Sequence, residues 1–136
     1  MITERDEQEL IALAKEARIE ALGSIASFGV GHVGGTLSII ETLVYLYYRE
    51  MRVDPANHAW AGRDMLVLSK GHSGPALYAV LAMKGYFDRA ELATLNRLGT
   101  RLPSHCDMNK PPGVDLTARS LGQRLFPAAG RALAAQ

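Results

Sequence analysis

A short apolar run that leads directly into a glycine-rich loop constrains the fold of this chain more than any other feature. Met65 to Leu68 are four apolar residues in succession, and Ser69 to Pro75 then supply two glycines, a histidine and a proline. A run this short fits a strand buried on both faces, and proline is tolerated in the first turn of the helix predicted over 76–84. The segment therefore predicts half of a βαβ unit, which places the chain in the α/β class.

Helical patterns dominate the rest of the chain. From Thr3 to about Phe28 apolar residues recur at helical spacing behind a threonine cap and acidic residues. A second helix is predicted from the capping-box sequence Ser38–Glu41. A last helix would follow from Ser120, although Pro127 lies well inside it, where proline removes a hydrogen bond. We expect a helix-rich α/β domain with a few parallel strands, and only part of a sheet.

Charge and composition exclude several classes of function. The chain has 15 basic and 14 acidic residues, so it lacks the basic face that nucleic-acid binding requires. Its longest apolar run lies between Glu41 and Arg49, which is too short to span a membrane. Cys106 is the sole cysteine, and the acidic N-terminus differs from the basic start of a signal peptide. We expect a cytoplasmic protein without nucleic-acid or membrane partners.

Three of the four histidines lie in loops beside glycine or other small residues. The three sequences are Gly31-His32-Val33-Gly34-Gly35, Gly71-His72-Ser73-Gly74 and Pro103-Ser104-His105. Neighbouring glycines leave an imidazole unshielded, and ligands of open α/β sheets bind beyond the carboxyl ends of strands, where His72 falls. Histidine there can donate to a phosphate oxygen or move a proton. The pattern favours a site for a small anion, with ordinary surface histidines as the alternative.

A zinc site at His105 and Cys106 is a further interpretation of the same residues. Structural zinc sites bring together two pairs of ligands, each pair a few residues apart in sequence. The chain has no second pair of this kind. The spacing therefore argues against zinc.

Four motifs occur in the order and spacing of transketolases. They are the segments Gly31–Ser38, Arg63–His72, Leu98–His105 and Gly113–Gln123. With the helices around them they cover essentially the whole chain. On these residues the chain resembles the N-terminal section of transketolases, and most closely the N-terminal subunit of split-gene transketolases, in truncated form.

The resemblance implies a partial thiamine-diphosphate-binding domain and a role for particular residues. Transketolases use thiamine diphosphate with magnesium to transfer a two-carbon ketol unit between sugar phosphates. By resemblance, His32 and His105 are catalytic, the first assisting proton transfer at the ketol and the second contacting substrate hydroxyls. The implied cofactor-binding residues are His72 at the diphosphate, with Arg119, Ser120 and Leu121 along the cofactor.

The chain departs from the family pattern at two places. Transketolases hold their metal through a Gly-Asp-Gly motif and a later asparagine, but this chain contains no Asp-Gly dipeptide. Arg119 and Arg124 also stand where the family has glycines, and Phe126 and Pro127 follow. Glycine at a close backbone approach cannot become arginine without displacing the ligand or the loop. We expect a rearranged or exposed C-terminal segment; alternatively, the arginines bind phosphate in place of the metal.

These departures predict an incomplete domain over residues 1–136 that is inactive alone. Transketolase activity would require partner chains that supply the metal motif and the pyrimidine-binding domain. The expected partners are further copies of this chain or a transketolase C-terminal subunit, with sugar phosphates as ligands. Two alternatives stay open at this point: a non-catalytic module that binds sugar phosphates or a partner protein, and a truncated relic.

Overall fold

The computed structural model describes residues 2–118 and 120–134, and it is rich in helix, as the sequence predicts. The α-helices are α1 (Glu4–Phe28), α2 (Val33–Leu37), α3 (Ile40–Tyr45), α4 (Gly74–Lys84) and α5 (Leu125–Ala134). A π-helical turn, Leu46–Glu50, extends α3, and short 3-10 turns occupy Pro55–Asn57, Gly71–Ser73 and Arg89–Thr94. None of the described helices is both long and apolar enough to cross a membrane.

Helix α1 begins and ends where its sequence signals predict. The Thr3 side chain accepts a hydrogen bond from the Asp6 amide, and Asp6 in turn accepts from the Thr3 amide, which completes a capping box. At the other end, Gly29 adopts a left-handed conformation with φ of 89°, and its amide donates a hydrogen bond to the Ile25 carbonyl. Between these caps, small residues such as Ala17 and Ala21 are fully buried, so that α1 packs closely on α4.

Helix α4 forms the centre of the core. All nine residues from Gly74 to Ala82 are buried, and α1, α2, α3 and the turn Arg89–Thr94 pack around them. A helix that is apolar on every side must be surrounded in this way. Its one buried phenol, Tyr78, donates a hydrogen bond to the Pro103 carbonyl at 2.8 Å, and burial raises the pKa of that phenol.

The predicted capping box at Ser38–Glu41 is wrong. Helix α3 begins at Ile40, and its capping position, Ile39, has no side chain that can cap. Ser38 instead ends α2: its amide donates to the Gly34 carbonyl and its hydroxyl donates to the Gly35 carbonyl at 3.1 Å. The serine is therefore committed to the preceding helix and cannot cap the next one.

The predicted strand at Met65–Leu68 is not assigned as a strand, and no β-strand occurs within 2–118 or 120–134. Its backbone is held by other contacts: the Leu66 amide donates to the Asp115 carboxylate, and the Asp64 amide donates to the Arg52 carbonyl. A strand requires a neighbouring strand to complete its hydrogen bonds. The helix-rich part of the fold prediction is thus confirmed, and the few parallel strands are not.

The C-terminal segment is exposed, as its altered sequence predicts. No residue of α5 is buried, and large apolar side chains such as Leu125 and Phe126 face solvent. The helix starts at Leu125 and not at Ser120, so that Pro127 lies in its first turn. Amides of the first turn have no partner within the helix, and the proline therefore costs no hydrogen bond.

Truncating a side chain of α4 tests the central position of this helix. Leu81 is 0% exposed, and we expect Leu81→Ala to lower the free energy of unfolding by about 2–5 kcal/mol through lost burial and a residual cavity. The matched control Leu133→Ala, at a side chain of α5 that is 70% exposed, should change it by about 0.5 kcal/mol or less. Equal losses in urea unfolding would contradict this description of the core.

Candidate functional site

Three histidines from distant parts of the sequence lie together at one end of α4. The ring centroids of His32 and His72 are 5.4 Å apart, and those of His32 and His105 are 6.2 Å apart. His72 is half-buried, whereas His32 and His105 are exposed. We call His32, His72 and His105 the histidine cluster. The sequence singled out these three loops, and the fold brings all three into contact distance.

Short helical segments position two of these side chains. His32 immediately precedes α2, and His72 lies in the 3-10 turn that leads into α4. Two hydrogen bonds connect these segments: the Ser73 hydroxyl donates to the Gly35 carbonyl, and the Lys70 ammonium donates to the Ser38 hydroxyl, both at 2.6 Å. Helix α2 and the start of α4 are therefore fixed relative to each other.

Two glycines provide the space that the imidazoles occupy. A Cβ atom at Gly35 would lie 2.3 Å from Cδ2 of His72, and one at Gly71 would lie 2.8 Å from Cδ2 of His105. Both distances are shorter than real carbon contacts, so only glycine permits these side-chain positions. From the sequence, these glycines were expected to allow the close approach of a ligand. Their role in leaving space for the imidazoles was not predicted.

The electrostatics of the cluster favour a neutral His72. Partial desolvation lowers the pKa of its imidazole, and the neighbouring His32, Lys70 and His105 lower the pKa further because they are basic. A neutral imidazole retains one donor and one acceptor nitrogen. With the ammonium group of Lys70 beside it, the cluster offers hydrogen-bond donors and positive charge to an anion.

Two further predicted site residues, Ser120 and Leu121, lie in a loop that contacts the segment before His72. The Gly122 amide donates to the Ser69 carbonyl at 3.4 Å, and the Arg124 amide donates to the Ser69 hydroxyl at 3.3 Å. This places the loop containing Ser120 and Leu121 against the residue three positions before His72. Both residues are exposed, and neither hydrogen-bonds to the cluster within the described part of the chain. The predicted cofactor contact Arg119 lies outside the described residues.

The zinc interpretation finds no support in the surroundings of Cys106. Its thiol is buried, and burial raises the pKa of the thiol to about 12, which opposes the thiolate form that binds zinc. Across residues 2–118 and 120–134, no group of three or more histidine, cysteine, aspartate or glutamate side chains is arranged to hold a metal ion.

Sequence reasoning quoted Asp115 within a motif but gave it no role. In the structure its carboxylate forms a buried ion pair with Arg63 and accepts a hydrogen bond from the Leu66 amide at 2.8 Å. The hydrogen bond to Asp115 is the main reason that the pKa of Arg63 is raised. The available signal was an aspartate between Val114 and Leu116, in a loop that otherwise had no reason to carry a charge.

The fold is a helix-rich domain in which three histidines converge, and comparison with known proteins identifies the family. The family described as "Transketolase, thiamine diphosphate binding domain" matches residues 10–136. The chain belongs to this family, which confirms the resemblance drawn from its motifs. The domain of this family binds thiamine diphosphate, in agreement with the cofactor that the resemblance implies.

Individual relatives and solved structures agree with this assignment. The 6-deoxy-6-sulfo-D-fructose transketolase subunit SqwG of Clostridium sp. (strain MSTE9) is 61% identical over 115 residues, which are 85% of this chain and 42% of that protein. An apulose-4-phosphate transketolase subunit of Actinobacillus succinogenes is 37% identical over 131 residues, covering 96% and 47%. The solved transketolase from Leishmania mexicana matches with a TM-score of 0.88 at 29% identity, covering 92% and 19%. The chain thus spans less than half the length of these relatives.

Adjacent glycines allow a matched test of how the cluster is seated. Gly35→Ala places a methyl group where the His72 imidazole lies, whereas Gly34→Ala meets no atom within 4 Å. We expect Gly35→Ala to shift the imidazole resonances of His72 in NMR spectra and to lower the unfolding temperature. Gly34→Ala should leave the His72 resonances in place. Unchanged His72 resonances in Gly35→Ala would show that the imidazole does not pack on Gly35.

Proposed function

We propose that this chain forms the diphosphate side of the thiamine-diphosphate site in a transketolase assembled from more than one chain. The observation that carries the proposal is the histidine cluster, in which imidazoles from three separate loops converge in a domain of this family. If the three imidazoles met only by chance at the surface, glycine would not be required at positions 35 and 71 to leave space for two of the rings.

Each member of the cluster has a proposed role that follows from its position. His72, neutral and half-buried, donates its N–H to a diphosphate oxygen, with the positive charge of Lys70 nearby. His32 and His105 are exposed and therefore accessible to the sugar. In this proposal His32 moves a proton at the ketol, and His105 binds substrate hydroxyls. Thiamine diphosphate, when bound, supplies the nucleophilic carbon.

The residues fit the diphosphate better than they fit its metal. Imidazole and ammonium groups suit phosphate oxygens, whereas magnesium requires oxygen ligands such as carboxylates. The described residues hold no cluster of metal ligands, and the sequence has no Asp-Gly dipeptide. We therefore propose that the metal ligands and the pyrimidine-binding domain lie outside residues 1–136, and that these residues alone form an incomplete domain without activity.

The incompleteness of the domain also accounts for the lack of a strand partner at the apolar run Met65–Leu68. Met65 is exposed, and the run has no strand partner among the described residues. We propose that it joins a parallel sheet whose other strands lie outside the described residues, as the α/β prediction requires. A free, buried Cys106 agrees with a reducing compartment such as the cytoplasm.

The proposed substrate is a ketose with an anionic terminal group. The names of two relatives specify such sugars: one is a subunit for 6-deoxy-6-sulfo-D-fructose and the other for apulose 4-phosphate. The histidine cluster serves the ketol end of the sugar in this proposal. The choice between a sulfonate and a phosphate at the other end then rests with the partner chain.

Calorimetric titration with thiamine diphosphate and with inorganic pyrophosphate tests the half-site. We expect weak pyrophosphate binding that magnesium does not strengthen, and no detectable magnesium-dependent binding of thiamine diphosphate, because the residues within 2–118 and 120–134 hold no cluster of metal ligands. His72→Ala should abolish the pyrophosphate binding, and the control His58→Ala, at an exposed histidine outside the cluster, should not.

Each alternative has its own outcome in this titration. Tight magnesium-dependent binding by the chain alone would contradict the half-site. Loss of pyrophosphate binding in Arg124→Ala, with retention in His72→Ala, would instead support the arginines as phosphate ligands.

Self-association is a separate prediction of the incomplete domain. Large apolar side chains remain exposed around the fold, among them Ile19, Val30, Leu98, Leu121 and Phe126. Such a surface favours association, so we expect a dimer or larger species, or capture by a transketolase C-terminal subunit. Light scattering at micromolar concentration measures this. A monomer that also fails to bind the C-terminal subunit would contradict the proposal.

A further inference from the structure

The ion pair between Arg63 and Asp115 differs from every other ion pair of the described residues. Its side chains are 14% and 3% exposed, whereas both side chains of each other pair are at least 28% exposed. Both carboxylate oxygens of Asp115 are used, one by the Arg63 guanidinium and one by the Leu66 amide at 2.8 Å. A second guanidinium nitrogen of Arg63 donates to the Asp64 carbonyl.

The two partners lie in the two segments that carry His72 and His105. Arg63 begins the segment 63–69, which runs directly into the turn containing His72. Asp115 lies in the loop that follows His105 and folds back on it, because the Ala118 amide donates to the Cys106 carbonyl at 2.7 Å. The ion pair therefore connects the two segments at positions that are nine and ten residues from His72 and His105 in sequence.

At the cluster itself the two segments touch through a glycine. A Cβ atom at Gly71 would lie 2.8 Å from Cδ2 of His105 and 3.2 Å from the Cβ of Ala118. The Gly122 amide makes a further contact, to the Ser69 carbonyl at 3.4 Å. Each of these contacts is close but weak. The buried ion pair between Arg63 and Asp115 is the stronger connection between the two segments. Truncating one partner of a buried ion pair leaves a charge without compensation, so this pair resists separation.

We propose that Arg63 and Asp115 are positioning residues that set the spacing between His105 and His72. The pair holds the loop 106–118 against the segment 63–69, and the two imidazoles take their places at the ends of these segments. The relevance of this spacing to cofactor binding rests on the proposed function, whereas the spacing itself does not.

The test compares Arg63→Met with Arg89→Met, which removes the same group from the exposed pair with Glu16. Hydrogen exchange and histidine NMR are measured on the whole chain. In Arg63→Met we expect the Ala118 and Gly122 amides to exchange roughly tenfold faster or more, while Val80 in α4 changes less than about twofold. Desolvation and His32 are the main causes that lower the pKa of His72, and this pKa should rise slightly as His105, the smallest cause, moves away. Arg63→Lys, which keeps the charge, should restore part of both effects.

Two outcomes would overturn the proposal. If Val80 loses protection as much as Ala118, or if the variant does not fold, the pair stabilises the whole domain and not the loops. If Ala118 exchange and the His72 and His105 resonances match those of Arg89→Met, the pair does not position the cluster. None of these measurements uses the cofactor, so failure of thiamine diphosphate to bind would count against the proposed function alone.

Discussion

The burial of α4 on all sides is the constraint on which the other elements depend. Residues 74–82 have no solvent-facing side, so that α1, α2, α3 and the turn Arg89–Thr94 must surround them. This requirement explains the alanines on the inner face of α1, since Ala17 and Ala21 allow two helices to approach closely. It also explains why the histidine loops meet, because each loop enters or leaves an element that packs against the same central helix.

The cluster lies at the N-terminal end of this central helix, and its geometry comes from backbone more than from side chains. His72 precedes α4 by one turn, and glycines at 35 and 71 leave room for two imidazoles. A neutral His72 beside Lys70 gives the site a basic character without a large net charge. The nearly balanced charge of the whole chain conceals this local character, which only the fold reveals.

Local sequence signals predicted the parts of the fold that local contacts decide. Thr3 and Asp6 form a capping box within four residues, and Gly29 ends α1 through its own conformation, so both were readable in advance. Ser38 shows the limit: its pattern is that of a cap, but its hydroxyl bonds to the preceding helix. The apolar run at Met65–Leu68 does not form the buried strand that was predicted: only Leu68 is buried, and strand pairing depends on neighbours that the described residues do not include.

The candidate site likewise combines features that local sequence patterns predict with features that they do not. Histidines beside glycines could be found from sequence, but the buried partnership of Arg63 and Asp115 joins residues 52 positions apart and left no local pattern. In contrast, α5 buries none of its residues, although it carries the most unusual sequence of the chain. Since substitutions at exposed positions usually alter stability little, changes in this helix should leave the rest of the domain folded. The helix Leu125–Ala134 is therefore a suitable place for a spectroscopic label or an affinity tag, since a change there reaches none of the residues buried around α4.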